Sequence, residues 1–339
     1  MAIQDRIWYD KMGWKNLLPI FLLLPFSVIF YIITSLRRNL YRSGFLKSYN
    51  PRAVVVVVGG ISVGGTGKTP LCIALIEHFQ KKGYKVGLLS RGYHGHARTY
   101  PYEVTVESSY KECGDEPLLI KKQVGDKAFV VVDPIRSRGA KYLEEKGVNL
   151  IFTDDGLQHY ALGRDVEIIV LDGKRLLGNG LVLPAGPLRE SPLRLKSTPF
   201  IVMNCTNAKI ISSYTPMQFV EKKAVSLDGL EFLEKKSKVC ALAGIGNPKR
   251  FYDTLTKCGF IIDKTLSAAD HGVIDDETLL SVSQSMPVVM TSKDAVKYAH
   301  LLHDNLYELQ IEALLPNDFY ISLDEKISAV LKAKCKTYM

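Results

Sequence analysis

The spacing of hydrophobic and polar positions divides the chain into an apolar head and a body of short, regularly interrupted apolar runs. Residues 17–36, LLPIFLLLPFSVIFYIITSL, carry no charge. As a helix this run extends ~30 Å, about one hydrocarbon core. Pro19 and Pro25 depart from an ideal spanning helix, although membrane helices tolerate proline. Arg37, Arg38, Arg42 and Lys47 follow the run and predict a cytoplasmic location for what comes after; Arg6, Lys11 and Lys15 precede it and keep the bias modest. Trp8, Tyr9 and Trp14 suit an interfacial position just before it. The length of the run and the lack of a small-x-small site after it disfavour a cleaved signal peptide. Two seatings are open: a helix that spans the bilayer, and one that lies in a single leaflet.

Beyond the basic linker the pattern becomes strand, turn, helix, repeated. AVVVVVG (53–59) has the continuous apolarity of a strand buried on both faces. PLCIALIEHFQKKG (70–83) has helical periodicity, with Pro70 in its first turn and Gly83 as its stop. YKVGLLS, AFVVVD (128–133), VNLIFTD (148–154), VEIIVLD (166–172) and PFIVMN (199–204) predict five more strands. Such strands joined by helical crossovers make a doubly wound, mostly parallel sheet. Residues 97–106, RTYPYEVTVE, alternate more regularly and predict a small antiparallel piece. Near residue 220 the chain becomes charge-rich and reads as a connector, and a smaller α/β unit of roughly 90 residues follows. The resulting boundaries are 1–47 for the membrane-associated helix and basic linker, 48–225 for the larger domain, and 226–339 for the connector and smaller domain. Two lobes of this kind commonly enclose a substrate cleft.

The 339 residues are enough for two cores, and 47% apolar with 23% charged residues is ordinary for a globular protein. The net charge of +9 changes the picture, because it favours an anionic partner: nucleic acid, anionic lipid or a phosphorylated substrate. No aromatic-basic platform or zinc spacing supports nucleic acid. The six cysteines form no C-x-x-C pair, which argues against zinc or a disulfide framework and fits a reducing compartment.

Candidate chemistry concentrates in a few loops. In VVVVVGGISVGGTGKTP (54–70), a glycine-rich turn joins a buried strand to a helix start, where backbone N–H groups face an anion. Ser62 stands where the strict G-x-x-x-x-G-K-[ST] pattern has glycine, but the core G-G-x-G-K-T is intact. Ser62, Val63, Gly64, Gly65, Thr66, Gly67, Lys68 and Thr69 thus predict a nucleotide cradle, with Lys68 on the β- and γ-phosphates and the Thr69 hydroxyl on Mg²⁺. The fold class becomes a P-loop NTPase-type α/β sheet with a second, smaller α/β domain and an N-terminal membrane helix. In NLIFTDDGLQH (149–159), Asp154 and Asp155 end a strand where a metal-binding carboxylate is expected, and His159 is open between ligand and hydrogen-bond partner. In ECGDEPLLI, Asp115 and Glu116 suit either a helix cap or, for Asp115, a general base. Arg91, Arg136, Arg138 and Arg189 offer bidentate phosphate contacts, Glu190 a further carboxylate near the metal, and Asp270-His271 a pair facing the cleft.

Taken in order, SVGGTGKTP, LLSRGYHG, GDEPLLI, DPIRSRG, TDDGLQH, GNGLVLPAGPLRE, GIGNPKRFYDTL, ADHGVIDDE and MTSKDAVK resemble the tetraacyldisaccharide 4'-kinase family of lipid A biosynthesis. The Ser62 departure is itself characteristic of that family. The resemblance runs from the apolar head to about residue 300. It implies transfer of the γ-phosphoryl group of ATP to the 4'-hydroxyl of an acylated glucosamine disaccharide 1-phosphate, at the cytoplasmic face of the inner membrane. It further implies that Asp115 is the catalytic base with His271 tuning it, and that Lys68 and Thr69 hold phosphate and Mg²⁺. Asp154, Asp155, His159 and Glu190 resemble the family's cluster near metal and phosphates; Arg189, Arg136 and Arg138 resemble phosphate or substrate contacts. Family members often carry a second histidine after His271, where this chain has Gly272. Other readings fit less well. A partitioning-type ATPase needs lysine at Val63, and a GTPase needs N-K-x-D, which TSKD (291–294) is not. A membrane-binding module without catalysis needs no cradle with carboxylates beside it. Acyl-chain number and oligomeric state are not read from the sequence.

Overall fold

The computed structural model describes residues 3–9, 14–204, 213–246, 248–268, 272–301 and 305–338. In chain order its elements begin with α1 (Ile3–Tyr9), α2 (Trp14–Arg42), β1 (Val54–Gly59), α3 (Lys68–Lys81), β2 (Val86–Ser90), β3 (Tyr102–Glu103), α4 (Tyr110–Cys113) and α5 (Asp115–Val124). They continue with β4 (Ala128–Val132), α6 (Arg136–Glu145), β5 (Leu150–Thr153), β6 (Val166–Asp172), β7 (Phe200–Asn204) and β8 (Thr215–Ser226). The remainder are β9 (Lys238–Ala243), α7 (Pro248–Lys257), β10 (Ile261–Ser267), α8 (Asp276–Ser283), β11 (Val288–Thr291), α9 (Ser292–Ala295), β12 (Leu306–Leu314) and α10 (Asn317–Tyr338). The chain packs as two units: 1–91 with 127–218 and 314–339, and 92–126 with 219–313.

The first unit is the expected parallel sheet, in the order β7-β6-β1-β5-β2-β4. Its centre is β1, where Val54 to Val58 are all essentially inaccessible. Alternate valines feed opposite faces of the sheet, and β-branched side chains suit that pleated, doubly covered position. The chain runs from β1 out to β2 and β4, returns to β5 beside β1, then crosses to β6 on β1's other side. Where winding reverses in this way, a crevice opens at the carboxyl ends of the strands.

Helix α10 belongs to this unit rather than to the smaller domain, so the sequence boundary at 226–339 differs from the packing. The reason is its inner face. Phe319, Leu323 and Ile327 recur at helical spacing and are buried, and Phe319 meets Phe200 edge-on. Asp324 accepts from His78 of α3 at 3.0 Å, Tyr320 stacks on the same ring, and Lys334 bonds the Pro51 and Ala53 carbonyls and Asp165.

Helix α2 contains the apolar head and is long and apolar enough to cross a membrane. One stripe along it, Ile20, Leu23, Ser27, Phe30, Thr34, Arg38 and Tyr41, is wholly or partly covered. Phe21, Leu22, Phe26, Ile29 and Ile33 on the other side are more than half exposed. Ser27 lies midway and is 4% exposed; its Oγ donates to Val182 O and accepts from Ala185 N, both at 2.9 Å. Trp8, expected at an interface, is instead buried, with its indole N–H on Pro184 O at 3.0 Å.

The second unit has the parallel order β10-β9-β11-β12. Alternate residues of β9 enter two cores: Val239, Ala241 and Ala243 meet Phe251 and Leu255 of α7, while Cys240 and Leu242 meet Leu279 of α8. Segment 92–126 also packs here, not with the larger domain as its sequence position suggests. Residues 97–106 yield only the two-residue β3, where the Tyr102 hydroxyl donates to Ser108 and Glu112. The charge-rich connector forms the twelve-residue β8, whose Ala224 and Val225 are buried. Leu323→Ala should lower stability by about 2–5 kcal/mol in urea unfolding, because Leu323 is fully buried and its surroundings relax only partly into the space it leaves.

Candidate active site

The cradle lies at the carboxyl end of β1. Gly67 caps α3 in the left-handed region (φ +94°), which glycine adopts without penalty, and no side chain caps the helix start. The first N–H groups of α3 therefore keep their positive potential for an anion. Ser62 does not need glycine: it is buried, has no positive φ, and bridges to Leu188 while Val63 N–H donates to Pro187 O at 2.9 Å. With no left-handed φ to adopt, this position does not require glycine, and serine is accommodated. Thr66 is buried, its carbonyl accepts from Asn204 at 3.2 Å, and its Oγ1 has no hydrogen-bond partner among the described residues.

Facing the cradle is the turn after β5. Asp154 is 3% exposed, and Asp155 adopts φ +48°, which aims its carboxylate at the cradle. Lys68 Nζ lies 3.6 Å from Asp155 Oδ1, and Arg189 Nη1 lies 2.8 Å from Oδ2. Burial works to raise the Asp155 carboxyl, but Lys68, Arg189 and Arg136 outweigh it and hold it below the usual range. Arg189 is positioned by its own backbone, which donates to Ile61 O at 2.6 Å. Glu190 stands behind this layer with both oxygens engaged: Gln158 on one at 2.7 Å, Tyr160 and Arg194 on the other at 3.0 Å each. Thr69, the second residue of α3, is partly exposed beside Lys68.

The remaining expected residues divide by what already holds them. Arg136 is 4% exposed and donates to Leu89 O and, at 2.8 Å, to Asp154 O. It is a strut joining the ends of two strands; burial lowers its guanidinium to about 10, and it stays charged at neutral pH. Arg138 is committed to Asp133 through two bonds of 2.8 Å. Arg91 is exposed at the end of β2. His159 is pushed down to about 4 by burial, Arg136 and Arg91, so its imidazole is neutral at pH 7 and is a hydrogen-bonding group, not a cation.

Asp115 lies in the second unit, as the first residue of α5, 5% exposed. Its Oδ1 accepts from Glu116 N–H at 2.9 Å. Gly114 before it has φ +88°, and a Cβ there would stand 2.7 Å from Tyr93 O, so the preceding loop sets the turn that presents the carboxylate. Lys293 Nζ lies 3.9 Å from Asp115 Oδ2 and 3.1 Å from Glu116 Oε1. His271 lies outside the described residues.

Three residues escape the sequence reading. Arg175 lies so that a Cβ on Gly64 would be 3.4 Å from its Nη1, which puts a guanidinium at the mouth of the cradle, stacked over Tyr9. Gln158 joins Arg189 to Glu190. Lys293 flanks Asp115. All three sit in or beside loops already singled out, but an isolated basic or amide side chain carries no periodic signal.

For metal, no group of three His, Cys, Asp or Glu able to share an ion occurs among the described residues. A hard cation takes one or two carboxylates and completes its shell with water and phosphate oxygens. Asp155 Oδ1, buried without a hydrogen bond beside Lys68, supplies such an oxygen. Because His159 titrates near 4 in the folded state and near 6.5 when unfolded, the unfolded chain binds the extra proton between those values. Stability should fall as pH drops from about 6.5 to about 4, and His159→Gln should flatten that slope in thermal unfolding.

The family model for tetraacyldisaccharide-1-P 4'-kinase matches residues 19–328. The tetraacyldisaccharide 4'-kinase of Aeromonas hydrophila is 42% identical over 328 residues, 96% of each chain. That of Vibrio cholerae is 41% identical over 332 residues, 97% of each. Among solved structures, the "apo" form of LpxK from Aquifex aeolicus in complex with ATP superposes with a TM-score of 0.75 at 26% identity, over 92% of this chain and 99% of that one. Matched by the family model over residues 19–328 and by these relatives over 96–97% of its length, the chain that carries this cradle belongs to the tetraacyldisaccharide-1-P 4'-kinase family.

Proposed function

We infer that the protein is a glycolipid kinase that moves the γ-phosphoryl group of ATP to the 4'-hydroxyl of tetraacyldisaccharide 1-phosphate. The observation that carries this is the uncapped start of α3 with Lys68, Arg189 and Asp155 gathered around it. The α3 N–H groups and Lys68 bind the β- and γ-phosphates and neutralise charge as it develops; Arg189, and Arg175 at the mouth, extend that field. Thr69, Asp155 and Asp154 would hold Mg²⁺, which would supply positive charge against the phosphates. Asp115 accepts the proton of the 4'-hydroxyl as its oxygen bonds to the γ-phosphorus and the bond to the β-γ bridging oxygen breaks, releasing ADP. Arg136 fixes the Asp154 carbonyl, and Glu190 with Gln158 orients Arg189.

The acceptor is an anionic lipid, which suits a basic chain with an apolar helix, working at the cytoplasmic face of the inner membrane. The seating of α2 favours the single-leaflet alternative. Its covered stripe rests on the first unit and its opposite side is apolar and exposed. A helix held at its midpoint by Val182 and Ala185 could cross the bilayer only by carrying that loop, and the folded unit it is part of, into hydrocarbon.

The deciding assay follows γ-radiolabelled ATP with the acylated disaccharide 1-phosphate or water as acceptor. Label should enter the glycolipid; vigorous ATP consumption with no labelled glycolipid refutes the assignment. Lys68→Ala should reduce transfer by at least about 10³-fold, since it removes a charge contact made to the transferring group. Asp115→Asn should remove most turnover while ATP binding, read by equilibrium dialysis, persists. Deleting residues 1–36 should weaken partitioning onto anionic vesicles.

A further inference from the structure

Helix α9 is a single turn, and one turn of helix does not hold itself in water. A buried polar network holds it. Thr291 caps the turn: its hydroxyl accepts from Asp294 N–H at 3.1 Å and donates to Asp294 Oδ2 at 2.7 Å. The same Oδ2 accepts from Gly244 N–H at 2.9 Å, and Oδ1 accepts from Lys297 Nζ at 2.9 Å. Both charged side chains are 1% exposed. Lys297 also donates to Gly272 O at 3.0 Å, and next along the chain Tyr298 accepts from Ile274 N–H at 2.7 Å. The network therefore ties three segments together: the loop after β9, the start of 272–274 and α9 itself.

Cohesion alone does not require this. Well-packed apolar side chains stabilise as well as a buried ion pair, so fixed geometry is the more specific gain. What the mount carries outward is Lys293. From α9 its Nζ reaches 3.1 Å from Glu116 Oε1 and 3.9 Å from Asp115 Oδ2, while Glu116 N–H occupies the other Asp115 oxygen. A backbone N–H on one oxygen and a cation on the other leave the Asp115 carboxylate little freedom to rotate. A lysine on a loose loop would spread over many rotamers and lose that effect.

We propose that Lys293 is a positioning residue for phosphoryl transfer, fixing the Asp115 and Glu116 carboxylates at the start of α5 from a mount made by the buried Asp294–Lys297 pair. The inference rests on Asp115 being the base. Lys293 acts through Asp115, so its removal disturbs the chemical step and leaves nucleotide binding alone.

Steady-state transfer of radiolabelled γ-phosphate to the acylated disaccharide 1-phosphate, with the full chain, tests this. Lys293→Met should lower kcat by about 10–100-fold, the scale of a misplaced catalytic group, with KM for ATP within about twofold. Lys293→Arg, which restores the cation, should recover most of the loss. Adding Lys293→Met to Asp115→Asn should cost nothing further, because residues acting as one unit are not additive. Should the methionine variant fail to fold, Lys293→Gln keeps the polarity and removes the charge, and the same kinetics apply. A Lys293 variant at full kcat beside an inactive Asp115→Asn overturns the positioning role and leaves the base standing. An active Asp115→Asn overturns the base and this proposal with it. An additive double variant shows that Lys293 does not work through Asp115 and also overturns it.

Discussion

A helix whose first turn is left bare is the constraint around which the first unit is organised. Gly67 starts α3 in a conformation that offers no side-chain cap, so unpaired N–H groups and the positive end of the helix dipole converge on one spot. Leaving them so costs stability, and the surroundings limit that cost. Asp155 brings a negative charge toward the same spot, held low in pKa by the two cations it faces. An anion delivered there gains what the helix start lacks, which is the physical basis of phosphate affinity in this architecture.

Charge around the site is graded by burial. Arg136, fully enclosed, spends its hydrogen bonds on carbonyls and acts through its field; it helps hold Asp155 ionised and His159 neutral. Arg189 is half-buried and shared between Asp155 and Gln158. Arg91 is exposed at the end of β2. The same residue type thus gives a strut, an oriented contact and a solvated cation, and the difference between them is depth.

The loop at 178–190 connects parts that are far apart in sequence. Trp8 and Ser27 bond its Val182–Ala185 stretch, and Pro187, Leu188 and Arg189 bond Val63, Ser62 and Ile61 of the cradle. The apolar helix α2 is thereby joined through one short loop to the glycine-rich turn before α3. A loop with this many backbone partners at both ends is more rigid than its glycine content suggests.

The chain's periodicities were enough to place the strands of the parallel sheet, the apolar helix and the cradle, because each is a local pattern: valine runs, helical spacing, glycines ahead of Lys68. Asp154, Asp155 and Arg189 were legible because they sit at strand ends or in loops whose residue types point to chemistry. Three matters were decided only by tertiary packing. Segment 92–126 and helix α10 each joined the unit that local boundaries assigned them away from, since Phe319, Leu323 and Ile327 find their apolar partners by contact, not by sequence proximity. Arg136 and Arg138 looked alike along the chain, yet Asp133 and two carbonyls gave them different tasks. Lys293 acquired its place beside Asp115 from a partner 178 positions away. Local patterns record which conformation a segment prefers; burial and long-range pairing, which fix the environment of a charge, depend on residues that no local window contains.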